Sequence, residues 1–91
     1  MNRKDIVKIV SEKTIQNNLE VAKTMEAIID TIKGAIISGE SVYLRGFGTF
    51  NNTLLAEKKA RVITENRQII IPPRFKATFK ASKNFTNEMN S

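Results

Sequence analysis

The side chains of this sequence that can do chemistry are mainly basic ones, because the chain contains no Cys and no His. Imidazole is the usual general base near neutral pH, and imidazoles and thiolates are the usual ligands of zinc. The nine carboxylates are dispersed and suggest no acid–base pair, and the sequence contains no Gly-rich phosphate-binding loop. We therefore expect a protein that is not an enzyme and that needs no metal and no cofactor.

The basic residues are concentrated in the second half of the chain. Residues 1–40 contain six bases and six acids, whereas residues 41–91 contain nine bases and three acids, so the second half carries the whole net charge of +6. A neutral half joined to a cationic half predicts one part that folds and one part that binds an anion. With a pI near 9.9, nucleic acid is the leading candidate for that anion.

Residues 74–80 place part of this charge in a regular pattern. In an extended strand, alternate side chains lie on opposite faces. One face here consists of Arg74, Lys76, Thr78 and Lys80, and the other consists of Phe75, Ala77 and Phe79. Because no acid interrupts the basic row, the pattern predicts a strand with a cationic outer face and an inner face in the core.

Two helices are predicted in the first half, each opened by a capping box. The boxes are Asn2 with Asp5 and Asn17 with Glu20, and the link between the helices comprises residues 14–16. The second helix carries apolar residues at steps of three and four until Gly39, which we expect to end it. This helix is too long and too apolar for the recognition helix of a helix-turn-helix protein, so we interpret both helices as scaffold.

Strands and turns are predicted in the second half. Residues 41–45 form a short strand, residues 46–48 a turn, and a further strand begins at Thr49. Residues 51–61 continue without a breaker, residues 64–67 form a turn, and residues 68–71 return, which predicts a two-stranded arm over about residues 52–77. We expect a bulge or a strand edge at Pro72-Pro73, and a last short helix capped by Ser82.

The expected fold is a single α+β domain over residues 1–91. Residues 1–40 form a two-helix base for dimerisation, and residues 41–91 form a three-stranded sheet with the protruding β-arm and the short C-terminal helix. These elements provide too few layers to cover the apolar residues, so we expect an intertwined dimer rather than a monomer whose arm folds over its helices. The expected dimer core consists of Met25, Ile28, Ile29, Ile32, Ile36, Phe47, Phe50 and Phe79.

The run from Leu44 to Phe50, Leu-Arg-Gly-Phe-Gly-Thr-Phe, resembles the signature loop of the HU/integration host factor family of bacterial DNA-bending proteins. The similarity extends over essentially the whole chain, including Gly39, Arg61 and Phe79. It implies a dimer of identical or related chains with a helical base, a saddle of sheets and two arms in the DNA minor groove. It also implies a cytoplasmic, nucleoid-associated protein, and no membrane partner is expected because no apolar stretch approaches the roughly 18 residues of a membrane span.

The resemblance assigns DNA contacts to the basic residues position by position. The bases of the arm contact phosphates and the groove floor, those of the sheet and its flank form the saddle, and two others lie at the first helix and the signature loop. They are Lys58, Lys59, Arg61 and Arg67 in the arm, Arg74, Lys76, Lys80 and Lys83 at the saddle, and Arg3 and Arg45 elsewhere.

The arm tip departs from the family pattern. The family carries Arg-Asn-Pro there, and its Pro wedges between base pairs, whereas this sequence has Arg61-Val62-Ile63. Ile63 is the candidate wedge, since an inserted apolar side chain covers unstacked base faces. The alternative is that Val62 and Ile63 only stiffen the arm as β-branched strand residues.

The predicted function is binding of double-stranded DNA in the minor groove with little sequence preference, together with bending or compaction of the duplex. One alternative is a site-selective DNA bender like integration host factor. Another is a structural or protein-interaction dimer in which the Ile-rich arm pairs with protein and bending is weakened.

Overall fold

The computed structural model describes the backbone of residues 1–62 and 67–91 and the side chains of residues 1–59 and 67–91. The elements are α1 (Arg3–Thr14), α2 (Asn18–Ile37), β1 (Val42–Leu44), β2 (Gly48–Leu55), β3 (Lys58–Val62), β4 (Arg67–Ile71), β5 (Arg74–Ala81) and α3 (Lys83–Met89). The chain divides into two compact units, Met1–Gly34 and Ala35–Ser91. The predicted α+β class is confirmed.

The first helix begins at the predicted capping box. Asn2 Oδ1 accepts from the Asp5 N–H at 3.1 Å, and Asp5 Oδ2 accepts from the Asn2 N–H at 3.0 Å. The helix continues through Thr14 and ends at Ile15, whose backbone is left-handed with φ 53°. The predicted link was therefore placed too early, because Thr14 is still helical and the turn is made by the left-handed residue after it.

The second helix has a side-chain cap at its start and a glycine at its end. Asn17 Oδ1 accepts from the Leu19 N–H at 2.7 Å, so the predicted cap residue is confirmed with Leu19, rather than Glu20, as its donor. At the other end, Gly39 has φ 95°, and its N–H and that of Glu40 donate to Ile36 O at 3.0 Å and Ala35 O at 2.9 Å. These two bonds form a Schellman motif, which confirms Gly39 as the residue that ends the helix.

The second unit is built on an antiparallel three-stranded sheet in the order β1-β2-β5. The β2–β5 register runs from Gly48↔Ala81 to Leu55↔Arg74. β3 and β4 form a separate two-stranded sheet, the arm, which begins at Lys58↔Ile71. The three-stranded sheet and the two-stranded arm are thus present as predicted.

The arm is separated from the main sheet by a break in both strands. The outgoing strand is interrupted at Ala56 and Glu57, and the returning strand at Pro72 and Pro73, so the prediction of one continuous strand over 51–61 is wrong. At Pro72-Pro73, where a bulge or a strand edge was expected, the returning strand ends and a new one begins, and no bulge forms because both strands skip the same number of residues. The physical reason is the proline pair, which cannot donate to the ladder and leaves the opposite residues unpaired.

The turn predicted for 64–67 is wrong for Arg67, which is the first residue of β4 and pairs with Val62. The other residues of that turn lie outside the described part of the chain.

Four phenylalanine rings, the aromatic cluster, cover one end of the main sheet. The Phe47 ring centroid lies 5.0 Å from that of Phe79, 5.4 Å from that of Phe85 and 6.3 Å from that of Phe50. Gly48 is buried beside them, and a Cβ there would lie 2.6 Å from Phe79 Cζ. A glycine is therefore required at this position, because a methyl group would overlap both the Phe79 ring and the backbone carbonyl oxygen of Lys80.

Neither unit covers its apolar side chains. Within residues 1–59 and 67–91, Val21 is the only hydrophobic side chain that is buried. Of the residues expected in a dimer core, five are half-buried and three are exposed, and the exposed ones are Ile28, Phe47 and Phe79. Phe75, on the same face of β5 as Phe79, is 72% exposed in the single chain and lies beyond the end of the aromatic cluster, so burial of this face stays a prediction for the dimer.

Candidate nucleic-acid interface

One face of the three-stranded sheet, the cationic face, carries basic side chains and no carboxylate. The register pairs Thr49 with Lys80, Thr53 with Lys76, and Leu55 with Arg74, and residues paired across strands share a face. The whole face consists of Tyr43, Thr49, Asn51, Thr53, Leu55, Arg74, Lys76, Thr78 and Lys80. The three bases are exposed, and with no acid among their neighbours they present a positive surface for an anion.

Hydrogen bonds between neutral side chains order the middle of this face. Thr53 Oγ1 and Thr78 Oγ1 are 2.8 Å apart, and the Ser41 hydroxyl donates to Asn51 Oδ1 at 2.7 Å. Hydroxyl and amide groups also bind phosphate oxygens. The face therefore combines hydrogen-bonded polar groups with exposed cationic side chains, which suits a polyphosphate surface.

The end of the sheet nearest the β1–β2 turn holds two further predicted contacts. Arg45 lies in the turn, and Gly46 next to it has φ 80°. The Ser82 N–H donates to the Phe47 carbonyl at 2.9 Å, which ties this turn to the start of α3. Arg45 and Lys83, both exposed, are thus brought to the same end of the sheet, where Lys80 also lies.

The arm bases are distributed over both of its faces. Lys58 and Arg67 occupy positions on one face of the β3–β4 ladder, whereas Lys59 and Ile70 belong to the other face. All four side chains are exposed, with Ile70 62% exposed. A base on each face allows the arm to contact phosphates on both sides of a groove.

The remaining predicted site residues are Arg3, Arg61 and Ile63. Arg3 is exposed at the first position of α1, in the first unit. Arg61 lies in β3 without a described side chain, and Ile63 lies outside the described residues. Their roles remain predictions.

Tyr43 and the polar residues of β2 are the members of the cationic face that sequence reasoning missed. Alternation alone places Thr49, Asn51 and Thr53 on one side of β2, but it does not tell which side of β5 they share. That assignment requires the register of β1 with β2 for Tyr43 and the register of β2 with β5 for the other residues.

The comparison with known proteins identifies the family. The model of the bacterial DNA-binding protein family matches residues 1–90. The chain belongs to this family. It is 30% identical over 90 residues to the DNA-binding protein HU of Clostridium pasteurianum, with 99% of each chain covered. It is also 36% identical over 83 residues to the SPbeta prophage-derived DNA-binding protein HU 2 of Bacillus subtilis, covering 91% of this chain and 90% of that protein.

Solved HU structures share the fold. The chain of an Anabaena HU–DNA cocrystal structure superposes with a TM-score of 0.90 at 29% identity, covering 98% of this chain and 97% of that one. HU from Thermotoga maritima has a TM-score of 0.69 at 22% identity, with 98% of both chains covered. The resemblance inferred from the signature loop is therefore confirmed, and the HU family contains architectural DNA-binding proteins rather than known enzymes.

In the described part of this HU-family chain, no helix has the length and hydropathy needed to cross a membrane. The Asp and Glu residues of the same part, the available carboxylate ligands, form no cluster of three that would hold a metal ion.

Proposed function

We propose that this HU-family chain binds double-stranded DNA as a dimer, through the minor groove and with little sequence preference, and that it bends or compacts the duplex. The observation that carries the proposal is the cationic face, where Arg74, Lys76 and Lys80 stand in one row without a carboxylate neighbour. Phosphate contacts supply affinity without reading sequence, whereas sequence is read at base edges. A face of lysines, hydroxyls and one arginine therefore favours binding to the backbone over base readout.

The distribution of charge between the two units supports the same function. Residues 35–91 contain nine bases and four acids, whereas residues 1–34 contain six bases and five acids. The anion-binding charge is thus carried by the unit that contains the sheet and the arm. The nearly neutral helical unit is suited to pairing with a second copy, because two such units approach without strong repulsion.

Exposed apolar side chains in each unit support the dimer, and HU family proteins form dimers. In the first unit, an apolar cleft between α1 and α2 is lined by Ile6, Val10, Met25 and Ile28 among others. In the second unit, Phe47 and Phe79 remain 43% and 42% exposed. Since full burial of such a side chain is worth roughly 1.5–3 kcal/mol, covering the exposed part of each ring stabilises by about 1 kcal/mol, and a second chain of this kind is the partner that suits the apolar surface.

The two alternatives are less well supported. The Clostridium pasteurianum and Bacillus subtilis relatives described above are named HU rather than integration host factor, which disfavours site-selective bending. A dimer that binds only protein through its arm would leave the cationic face without an anion. The proposal includes the location that follows from DNA binding, association with the bacterial nucleoid.

The experiment that tests the proposal is the salt dependence of binding to short duplexes of unrelated sequence. With six to eight phosphates neutralised per dimer, the slope of log K against log salt is expected near roughly −5 to −7. Affinities for the different duplexes should agree within about ten-fold, because one mismatched base pair costs a sequence-specific protein about 1–3 kcal/mol.

A pair of matched double variants shows whether the cationic face carries this slope. Lys76→Ala with Lys80→Ala removes up to four phosphate contacts per dimer and should make the slope shallower by about 3–4. Lys13→Ala with Lys23→Ala removes the same charge from exposed helix positions and should leave the slope nearly unchanged. Equal slopes for the two double variants, or a flat salt dependence of the parent protein, would refute the proposed interface.

A further inference from the structure

Tyr43 is an aromatic side chain on the cationic face to which neither the sequence pattern nor the family resemblance assigned a role. The register pairs Tyr43 with Thr49 and Thr49 with Lys80, so the three residues form one row across the three strands. Side chains in such a row stand on the same face. Tyr43 is 67% exposed, although an aromatic ring has much apolar surface to bury.

We propose that Tyr43 is a DNA-contacting residue, an inference that rests on the proposed function. Its ring packs against the sugar–phosphate backbone, and its hydroxyl donates a hydrogen bond to a phosphate oxygen. The phenolic O–H is a donor, and hydrogen bonds to a charged acceptor are the strong ones. An aromatic side chain also loses little conformational freedom on binding. The contact requires no particular base and therefore agrees with low sequence preference.

The spacing of Tyr43 and Lys80 in this row suits contacts on both sides of the DNA minor groove. Tyr43 and Lys80 are separated by two strand spacings, which is about 10 Å between their backbones. The minor groove is about 6 Å wide, so the two side chains are far enough apart to reach the opposite walls of one groove. Tyr43 supplies the neutral contact on one wall, and Lys80 supplies the ionic contact on the other.

The composition of the chain provides a direct probe of this contact. Tyr43 is the only tyrosine and the chain has no tryptophan, so its intrinsic fluorescence reports this one ring. On titration with a duplex, we expect the tyrosine emission to fall until the protein is saturated, as the ring meets the sugar–phosphate backbone and its hydroxyl donates to a phosphate. The midpoint should coincide with that of DNA anisotropy at the same salt, after correction for absorption by DNA with free N-acetyltyrosinamide.

A relocated tyrosine is the matched control. Phe75 lies on the opposite face of the sheet and is 72% exposed, so the double variant Tyr43→Phe/Phe75→Tyr moves the fluorophore away from the proposed contact. Its emission should not respond to DNA. A response equal to that of the parent protein would show that the signal reports a general change in the protein and would overturn the assignment.

Affinity supplies a second readout that separates a hydrogen bond from a charge. Tyr43→Phe should weaken binding by about ten-fold or more, since a hydrogen bond to a charged group is lost, while the salt slope stays the same because tyrosine releases no counterion. Phe75→Ala should leave the affinity unchanged.

Binding of labelled DNA and the emission of Tyr43 together distinguish a failure of this inference from a failure of the proposed function. If labelled DNA binds with the expected salt slope but the Tyr43 emission and the Tyr43→Phe affinity do not change, Tyr43 is not a contact and the proposed function stands. If the emission changes with protein concentration alone, Tyr43 lies at the contact between chains and the inference is wrong. If labelled DNA does not bind at all, the proposed function itself fails.

Discussion

Replacing Ile15 by glycine is expected to stabilise the protein, although it removes a whole apolar side chain. Ile15 ends α1 with φ 53°, a left-handed conformation that β-branched residues rarely adopt. Its side chain is 93% exposed, so it contributes almost nothing to the core. The residue thus has the backbone strain of a C-cap position without the packing that would offset it.

The magnitude follows from three contributions. A left-handed backbone costs a residue with a Cβ roughly 1–3 kcal/mol, a cost that glycine does not have. Glycine in turn loses about 0.4–1 kcal/mol through the larger entropy of its unfolded chain. The remaining burial of Ile15 is worth about 0.1–0.2 kcal/mol, a small share of the 1.5–3 kcal/mol for a fully buried side chain. The net stabilisation is about 1 kcal/mol, or a rise of about 4–8 °C in Tm for a domain of this size.

Urea unfolding followed by circular dichroism measures this change, with the protein concentration held fixed because dimerisation makes the stability concentration-dependent. Ile15→Ala is the matched control, since it shortens the side chain but keeps a Cβ and should change the stability by less than about 0.5 kcal/mol. Ile15→Asn should fall between alanine and glycine, because Asn tolerates the left-handed region. A glycine variant that is less stable than the parent protein, or no more stable than the alanine variant, would refute the strain argument.

Three further predictions concern the aromatic cluster and the arm tip. Phe47→Ala should cost about 3–5 kcal/mol if a second chain completes the burial of the ring, and urea midpoints that do not rise with protein concentration would contradict that dimer. Gly48→Ala should destabilise by about 1–3 kcal/mol, since the added methyl group meets the Phe79 ring; an unchanged Tm would show that the cluster yields. Ile63→Ala should reduce the DNA bend measured by energy transfer across a short duplex, with a smaller loss of affinity on nicked than on intact DNA, where unstacking still costs a few kcal/mol. An unchanged bend would show that Ile63 is not the wedge.

The sequence determined those features that depend on neighbouring residues. The Asn2–Asp5 box and the stop at Gly39 each need only a few adjacent residues, because capping bonds are local. The alternation of residues 74–80 likewise separated the basic row from Phe79, since strand periodicity is a property of the chain itself. The signature loop predicted the family because its glycines are required by a turn and by a close ring.

The tertiary structure decided what depends on residues far apart in the chain. The sequence placed Phe75 and Phe79 on one face of the strand, but only the tertiary structure shows that the Phe79 ring packs against Phe50 at 4.8 Å while Phe75 lies beyond the aromatic cluster. The strand register, which is also a tertiary feature, places Tyr43 on the same face as Lys80. A one-residue change of register would have moved Tyr43 to the other face. The conformation of Ile15 also could not be predicted from its residue type. The turn between the helices imposes a left-handed backbone that a β-branched side chain disfavours.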